Sequence, residues 1–202
     1  MQHTRIVVMA KAPVAGYAKT RLIPALGAEG AARLAQRLLD HAIGQARAAG
    51  FGVVELCCAP DALHSAFSAQ AQHGGVVLTQ QGDGDLGARM HLCVERGLAA
   101  AAQVILIGTD APALDAAALR AAAAALEDSD AVLAPAADGG YVLIGLRDPA
   151  PTLFEAMPWS TERVLAVTRE RLVVSGLRWV ELPTLVDIDE APDLAQLPSG
   201  WL

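Results

Sequence analysis

Apolar residues fall along the chain as short runs that alternate with helical stripes. Residues 5–10 (RIVVMA) form a continuous apolar run ending in a loop rich in Pro and Gly, the pattern of a strand buried on both faces of a parallel sheet. From Ala31 to Ala46 apolar residues keep a 3-4 spacing (Leu34, Ala35, Leu38, Leu39, Ala42, Ile43), with Arg33, Arg37, Asp40 and Arg47 opposite. That spacing predicts an amphipathic helix ending near Gly50. Residues 53–59 (VVELCCA) predict a second strand, 61–71 a helix capped by Asp61, 75–79 a third strand and 86–102 a helix. Residues 103–108 (QVILIG) are the most strand-like run, and an Ala- and Leu-rich helix follows over 115–126 with Asp115 at its start.

The pattern then changes. Residues 130–136 (DAVLAPA) and 141–146 (YVLIGL) are apolar runs joined by Ala137, Asp138, Gly139 and Gly140, a tight connection that predicts an antiparallel pair added to a parallel sheet. A helix over 161–174 and a strand over 178–182 precede an acidic tail over 185–194. The expectation is an α/β fold with a mixed, mainly parallel central sheet. No repeat, linker or charge block divides the chain, so one domain over 1–202 is expected.

Composition narrows the function classes. At 202 residues with 53% hydrophobic and 18% charged residues, the chain has material for one sizeable core and is not of disordered type. A formal charge of -7 and 4% aromatic residues oppose a phosphate-tracking surface or a stacking platform for nucleic acid. The longest uncharged apolar stretch, 97–109, is broken by Gln103 and falls short of a membrane span. Near Met1 the short run 6–10 offers neither an apolar leader nor a cleavage site, so a cytoplasmic address is expected. Cys57, Cys58 and Cys93 lack metal-ligand spacing and read as reduced structural thiols, with Cys57 and Cys58 on opposite faces of a strand.

In an open parallel sheet, ligands bind beyond the carboxyl ends of the strands. After the first strand, Lys11, Lys19 and Arg21 form a cationic patch on an acidic chain, suited to polyphosphate oxygens, with Gly16 allowing close backbone approach. Solvated loop charges are the plainer alternative. The loop has neither the glycine spacing of a Walker loop nor the three glycines of a dinucleotide fingerprint. After the strongest strand, Asp110 is the best candidate ligand for a hard cation such as Mg2+, unless it merely stabilises the following turn, a role better suited to Asp115. An extended 186–189 would put Asp187 and Asp189 on one face with Ile188 opposite. Two carboxylates so placed repel unless a cation or basic group lies between them. In the loop 80–87, Gln80 or Gln81 could read a base edge and glycines such as Gly87 let backbone approach a ligand; in 137–141, Asp138, Gly139 and Gly140 form a second such loop, though both also suit ordinary turns. With aromatics scarce, base recognition by amides such as Gln81 is expected more than stacking. Ser160 reads as a helix cap. His3, His41, His64, His73 and His91 lie away from the strand ends and carry no expected metal or triad role.

Together these motifs carry a resemblance. Met9 to Gly16, Lys19-Thr20-Arg21-Leu22, Gln81 with 84–90 (GDLGARM), Gly108 to Pro112, 135–141 (PAADGGY), Trp159-Ser160-Thr161 and Asp187-Ile188-Asp189 resemble the glycosyltransferase-A-like (GT-A) family of radical-SAM/selenodomain-associated transferases, in the nucleotide-diphospho-sugar transferase superfamily. More distantly, the Lys-Thr-Arg-Leu loop and the Asp-Ile-Asp tail are similar to the 2-phospho-L-lactate guanylyltransferases. The resemblance implies a three-layer Rossmann-like GT-A fold, with nucleotide over the first half of the sheet and a small-molecule acceptor over the second. By motif it implies that Ala10, Lys11, Gly16, Lys19 and Arg21 line nucleotide phosphates, that Asp110, Asp187 and Asp189 hold Mg2+ or Mn2+, and that Gly139, Gly140, Ser160 and Thr161 face the acceptor. Lys19, Arg21 and Asp110 would then be catalytic. The implied activity is a Mg2+-dependent transferase using a nucleotide-sugar or nucleoside triphosphate, with a pyrophosphate-releasing nucleotidyltransferase or a non-catalytic nucleotide-binding module as alternatives. Asp110-Ala111-Pro112 replaces the Asp-x-Asp of most glycosyltransferases of this fold and is closer to nucleotidyltransferases.

Overall fold

The computed structural model describes residues 2–72 and 74–202. Among these, seven strands form one sheet in the order β3-β2-β1-β4-β6-β5-β7. The central strands are β1 (Gln2–Lys11), β2 (Val54–Ala59), β3 (Val76–Gln80) and β4 (Ala101–Ile107), all mutually parallel where they pair. Next to β4 runs β6 (Tyr141–Leu146), antiparallel both to β4 and to β5 (Ala131–Pro135), while β7 (Trp179–Glu181) pairs parallel with β5. The change of grammar after residue 126 is therefore the insertion of one reversed strand into a parallel sheet.

Alternation along the strands divides the core into two layers. Ile6, Val8 and Ala10 of β1 join the apolar faces of α1 (Ile23–Ala48), α2 (Ser65–Gln72) and α4 (Ala116–Asp128), whereas Val7 joins α3 (Leu86–Ala100) and α5 (Val164–Val174) on the opposite side. Cys57 and Cys58 fall in different layers, as strand alternation requires. A third cluster pins the tail, with Ile188, Leu194, Leu197 and Trp201 packed on Leu22, Leu34 and Leu38.

Several boundaries differ from expectation for local reasons. The helix expected from Asp61 begins at Ser65: Asp61 accepts instead from the Leu63 N–H at 2.7 Å, and His64 Nδ1 accepts from Ala66 N–H at 3.2 Å, occupying the capping place. The third helix stops at Ala100, because Ala101 turns extended and enters β4 directly. The fifth helix starts at Val164 with Arg163 at its cap; Ser160, in a left-handed conformation (φ 62°), lies outside it and caps nothing. Asp115 does cap α4, accepting from Ala118 N–H at 2.8 Å. No helix among the described residues is long and apolar enough to cross a membrane.

Candidate functional site

The carboxyl ends of β1 and β4 and the amino end of the reversed strand β6 open into one cleft of about 500 Å³. Its cationic side comes from the loop after β1. Lys11 and Arg21 stand exposed at the rim, whereas Lys19 turns inward with a side chain only 7% exposed. Its backbone is left-handed (φ 47°, ψ 47°), an uncommon state for a non-glycine residue and a local strain of the kind concentrated at functional sites.

Lys19 is where the two ends of the chain meet. Its Nζ lies 2.8 Å from Asp110 Oδ1 and 3.2 Å from Asp189 Oδ1 and donates to the Ile188 carbonyl at 2.6 Å. Arg21 Nη1 reaches the other Asp189 oxygen at 3.0 Å. Main-chain pairing sets this geometry: Ile188 N–H donates to the Asp110 carbonyl at 2.8 Å, and the tail runs beside the end of β5 through a parallel bridge between Ala136 and Leu185. Ile188 is fully buried, so Asp189 is held over the cleft. Asp187 stands apart from the Lys19 contacts. Its carboxyl is pushed up to about 6 by burial, and the nearby Asp138, Asp189 and Asp110 charges add to the rise.

Of the other residues singled out by sequence, Ala10, Gln81, Asp138, Gly140, Ser160 and Thr161 line the cleft, while Gly16, Gly87 and Gly139 do not. Gly16 supplies a left-handed turn (φ 83°) with open space around it. Gly87 serves packing, since a Cβ there would meet the Phe154 carbonyl and the Trp159 indole, and at Gly139 (φ 92°) a Cβ would meet the Glu162 backbone. Asp138 accepts from Gly140 N–H at 2.8 Å, which shapes the turn into β6. Gln81 is 6% exposed and donates from Nε2 to the carbonyls of Ala10 and Cys57, both at 3.1 Å, so its N–H groups are committed to joining β1 and β2. This leaves Gln81 no amide donor to offer a base.

Sequence reading undervalued the aromatic lining. Tyr17, 82% exposed, stands at the mouth, and Tyr141 and Trp159 face the second half in an edge-to-face pair with ring centroids 6.4 Å apart. Low aromatic content hid them, because only folding gathers three rings at one end of the sheet. Among the histidines, His41 Nε2 bonds the Pro112 carbonyl at 2.9 Å, behind the Asp110 loop; His73 lies outside the described residues.

A cation fits this arrangement on chemical grounds. Asp110 and Asp189 present hard carboxylate oxygens, about half exposed, that already converge on one positive charge, the Lys19 ammonium. Among the described residues no group of three or more acidic, Cys or His side chains is gathered tightly enough to hold a metal ion. The expected triad of Asp110, Asp187 and Asp189 is thus not closed as it stands; the ammonium occupies the space between two of its members.

Solved structures share this architecture. The chain is similar to a candidate nucleotide-diphospho-sugar transferase from Desulfovibrio desulfuricans G20, at 28% identity and a TM-score of 0.86, over 94% of this chain and 84% of that one. It shares its fold with a nucleotidyl transferase from Methanothermobacter thermautotrophicus (18% identity, TM-score 0.65, 100% and 98% covered). It also shares it with a Mycobacterium tuberculosis H37Rv protein solved as a manganese complex (22% identity, TM-score 0.51, 99% and 100% covered). The α/β sheet is thus of the nucleotide-diphospho-sugar transferase type. No curated protein matches the chain. Residues 26–161 match the family described as "Uncharacterized protein conserved in bacteria (DUF2064)".

Proposed function

Because the chain belongs to the DUF2064 family, whose member here has the fold of nucleotide-diphospho-sugar transferases, we propose that it is a divalent-cation-dependent transferase. Its donor is a nucleoside triphosphate or a nucleotide-sugar, and it passes a nucleotidyl or glycosyl group to a small-molecule acceptor. The observation that carries this reading is the Lys19 ammonium shared between Asp110 and Asp189 at the head of the cleft. An acidic chain has placed there the cationic groups a polyphosphate needs beside the carboxylates a hard cation needs.

Each part has a distinct task. Lys11, Lys19 and Arg21 bind phosphate oxygens and offset the charge that builds on the leaving group. Asp110 and Asp189 would hold Mg2+ or Mn2+, with Asp187 behind them; the bound ion would draw charge from the same phosphate oxygens. With the donor seated over β1 and the acceptor over β6, between Asp138, Gly140, Ser160 and Thr161, the reaction is a direct displacement in which orientation does most of the work. No protein nucleophile is required. Asp110-Ala111-Pro112, in place of an Asp-x-Asp pair, favours attack at phosphorus with release of pyrophosphate over attack at a sugar carbon.

The test is a thermal-shift screen of nucleoside triphosphates and nucleotide-sugars, with and without Mg2+, followed by product analysis with phosphorylated and polyol acceptors. Acceptor-dependent pyrophosphate release identifies nucleotidyl transfer, and nucleoside diphosphate release identifies glycosyl transfer. Metal-dependent binding with no turnover on any acceptor favours a non-catalytic module, and absence of nucleotide binding overturns the proposal.

A further inference from the structure

Two thiols that this chemistry does not use meet beneath the cleft. Cys57 on β2 and Cys93 on α3 are fully buried, and their Sγ atoms lie 3.1 Å apart. Apolar structural cysteines need no charged neighbours, yet this pair has an anchored guanidinium. Arg96, one turn after Cys93, places Nη2 3.2 Å from Cys57 Sγ and 3.5 Å from Cys93 Sγ. Its Nε donates to Glu55 at 2.5 Å, and Nη2 also donates to the Thr79 hydroxyl at 3.1 Å. Strand geometry assembles the group: Glu55 and Cys57 alternate onto the α3 side of β2, and Thr79 is the parallel-register partner of Cys57 on β3.

The two thiols are also differentiated. Hydrogen bonding from Cys93, with further help from Thr79 and Arg96, brings the Cys57 thiol down to about 7 against the opposing effect of burial. Cys93 is pushed up by its bond to Cys57 and by burial, and so keeps its proton. One thiol ready to ionise beside one held protonated is the division between an attacking and a resolving cysteine. Cys58, on the other face of β2, is pushed up to about 12, chiefly by burial, and its Sγ donates to the Leu56 carbonyl.

We propose that Cys57 and Cys93 are a redox-active dithiol that closes to an intramolecular disulfide when a peroxide or a small-molecule disulfide reaches it. With hydrogen peroxide, the Cys57 thiolate attacks one oxygen, the O–O bond breaks, and a sulfenic acid and hydroxide form. Cys93 sulfur then attacks Cys57 sulfur; the S–S bond forms as the S–O bond breaks, and the departing oxygen leaves as water with the Cys93 proton. Two thiols are oxidised and one peroxide is reduced to water. Reagent enters past Arg96, whose side chain is 30% exposed and reaches both sulfurs. Closing the bond draws the sulfurs about 1 Å nearer, to the ~2.05 Å of a disulfide. That movement bears on the cleft, because the Cys57 carbonyl holds Gln81 and Met90, one turn before Cys93, lines the cleft wall.

The test uses the reduced full-length chain treated with hydrogen peroxide or diamide, then intact mass and peptide mapping. The expected product is a monomer that has lost two hydrogens, linked between Cys57 and Cys93 and restored by dithiothreitol. Its formation rate rises with pH through about 7, and its melting temperature lies several degrees above that of the reduced form. Cys58→Ser oxidises at the unmodified rate, Cys93→Ser stops at a dimedone-reactive sulfenic acid, and Arg96→Met slows closure at least severalfold. Three thiols surviving in the native chain, a link through Cys58, a link between chains, or oxidation only after denaturation would each overturn the proposal, and none depends on the transferase reading or on a variant folding.

Discussion

The Lys19 ammonium stands 2.8 Å from the Asp110 carboxylate, so the inward-turned basic residue of the first loop is the counter-ion of the acid that follows β4. The same ammonium holds Asp189 from the tail, at 3.2 Å. A divalent ion arriving at these oxygens must replace it, and phosphate oxygens are the partners it can move to. On the proposed function, nucleotide and metal would therefore favour one another's binding through Lys19.

Replacing Lys19 by Met keeps the stem and removes the charge. Titration calorimetry should show Mn2+ alone binding about tenfold tighter to Lys19→Met, because the carboxylates no longer share a resident cation. Nucleoside triphosphate with Mn2+ should bind about tenfold weaker. Weakening of both would make Lys19 a structural clamp.

Asp187 gives the folded chain a pH dependence of defined sign. Burial and the neighbouring carboxylates raise its carboxyl to about 6 in the fold, above the ordinary aspartate range, so the folded state holds the proton more tightly. Its contribution is favourable at the acid end, declines as pH rises through about 6, and is a constant cost above that. Asp187→Asn should therefore stabilise the metal-free protein at pH 8 by about 1 kcal/mol, a figure reduced for solvent screening. The gain should shrink toward pH 4. Urea melts at both pH values decide it, and an equal effect at both would remove the electrostatic explanation.

Strands buried on both faces announce themselves as unbroken apolar runs, and so residues 5–10 and 103–108 marked β1 and β4 and, beyond them, Lys19 and Asp110. Information that crosses elements is absent from such runs. That the ammonium of Lys19 is what separates the two carboxylates depends on a tail more than 160 residues away being pinned by Ile188. Cys57 and Cys93 are ordinary core letters until parallel register and one turn of α3 bring their sulfurs together. Gln81 reads as a polar loop residue at a strand end, and only its burial shows that its amide fastens two strands. At Gly87 the letter suggests freedom of backbone near a ligand, whereas the cause is a neighbour too close for a side chain; at Gly139 (φ 92°) both causes act.

Gln81→Leu tests the fastening. The substitution keeps the volume and strips two donors, leaving the Ala10 and Cys57 carbonyls without that partner in a buried setting. A loss of about 2 kcal/mol is expected from chemical denaturation. Because Ala10 lines the cleft, nucleotide affinity should fall with it. Loss of affinity with full stability would instead assign Gln81 a direct contact with ligand.

Two glycines in the left-handed region separate conformational strain from crowding. Gly16 (φ 83°) has nothing within 4 Å of where a Cβ would stand, so Gly16→Ala meets only the backbone preference, about 1 kcal/mol. Gly139 (φ 92°) has the same preference and also lies against the Glu162 main chain, which cannot swing aside as a side chain would. Its own carbonyl accepts from Leu165 N–H at 2.8 Å, so the turn that leads into β6 is tied to the first turn of α5. Gly139→Ala must push these segments apart, and the expected cost is about 3 kcal/mol, the sum of strain and overpacking. Ser160 and Thr161, just before Glu162, would be displaced with it. Guanidinium denaturation of the two variants in parallel checks the difference, and equal losses would mean that the loop around Gly139 yields without resistance.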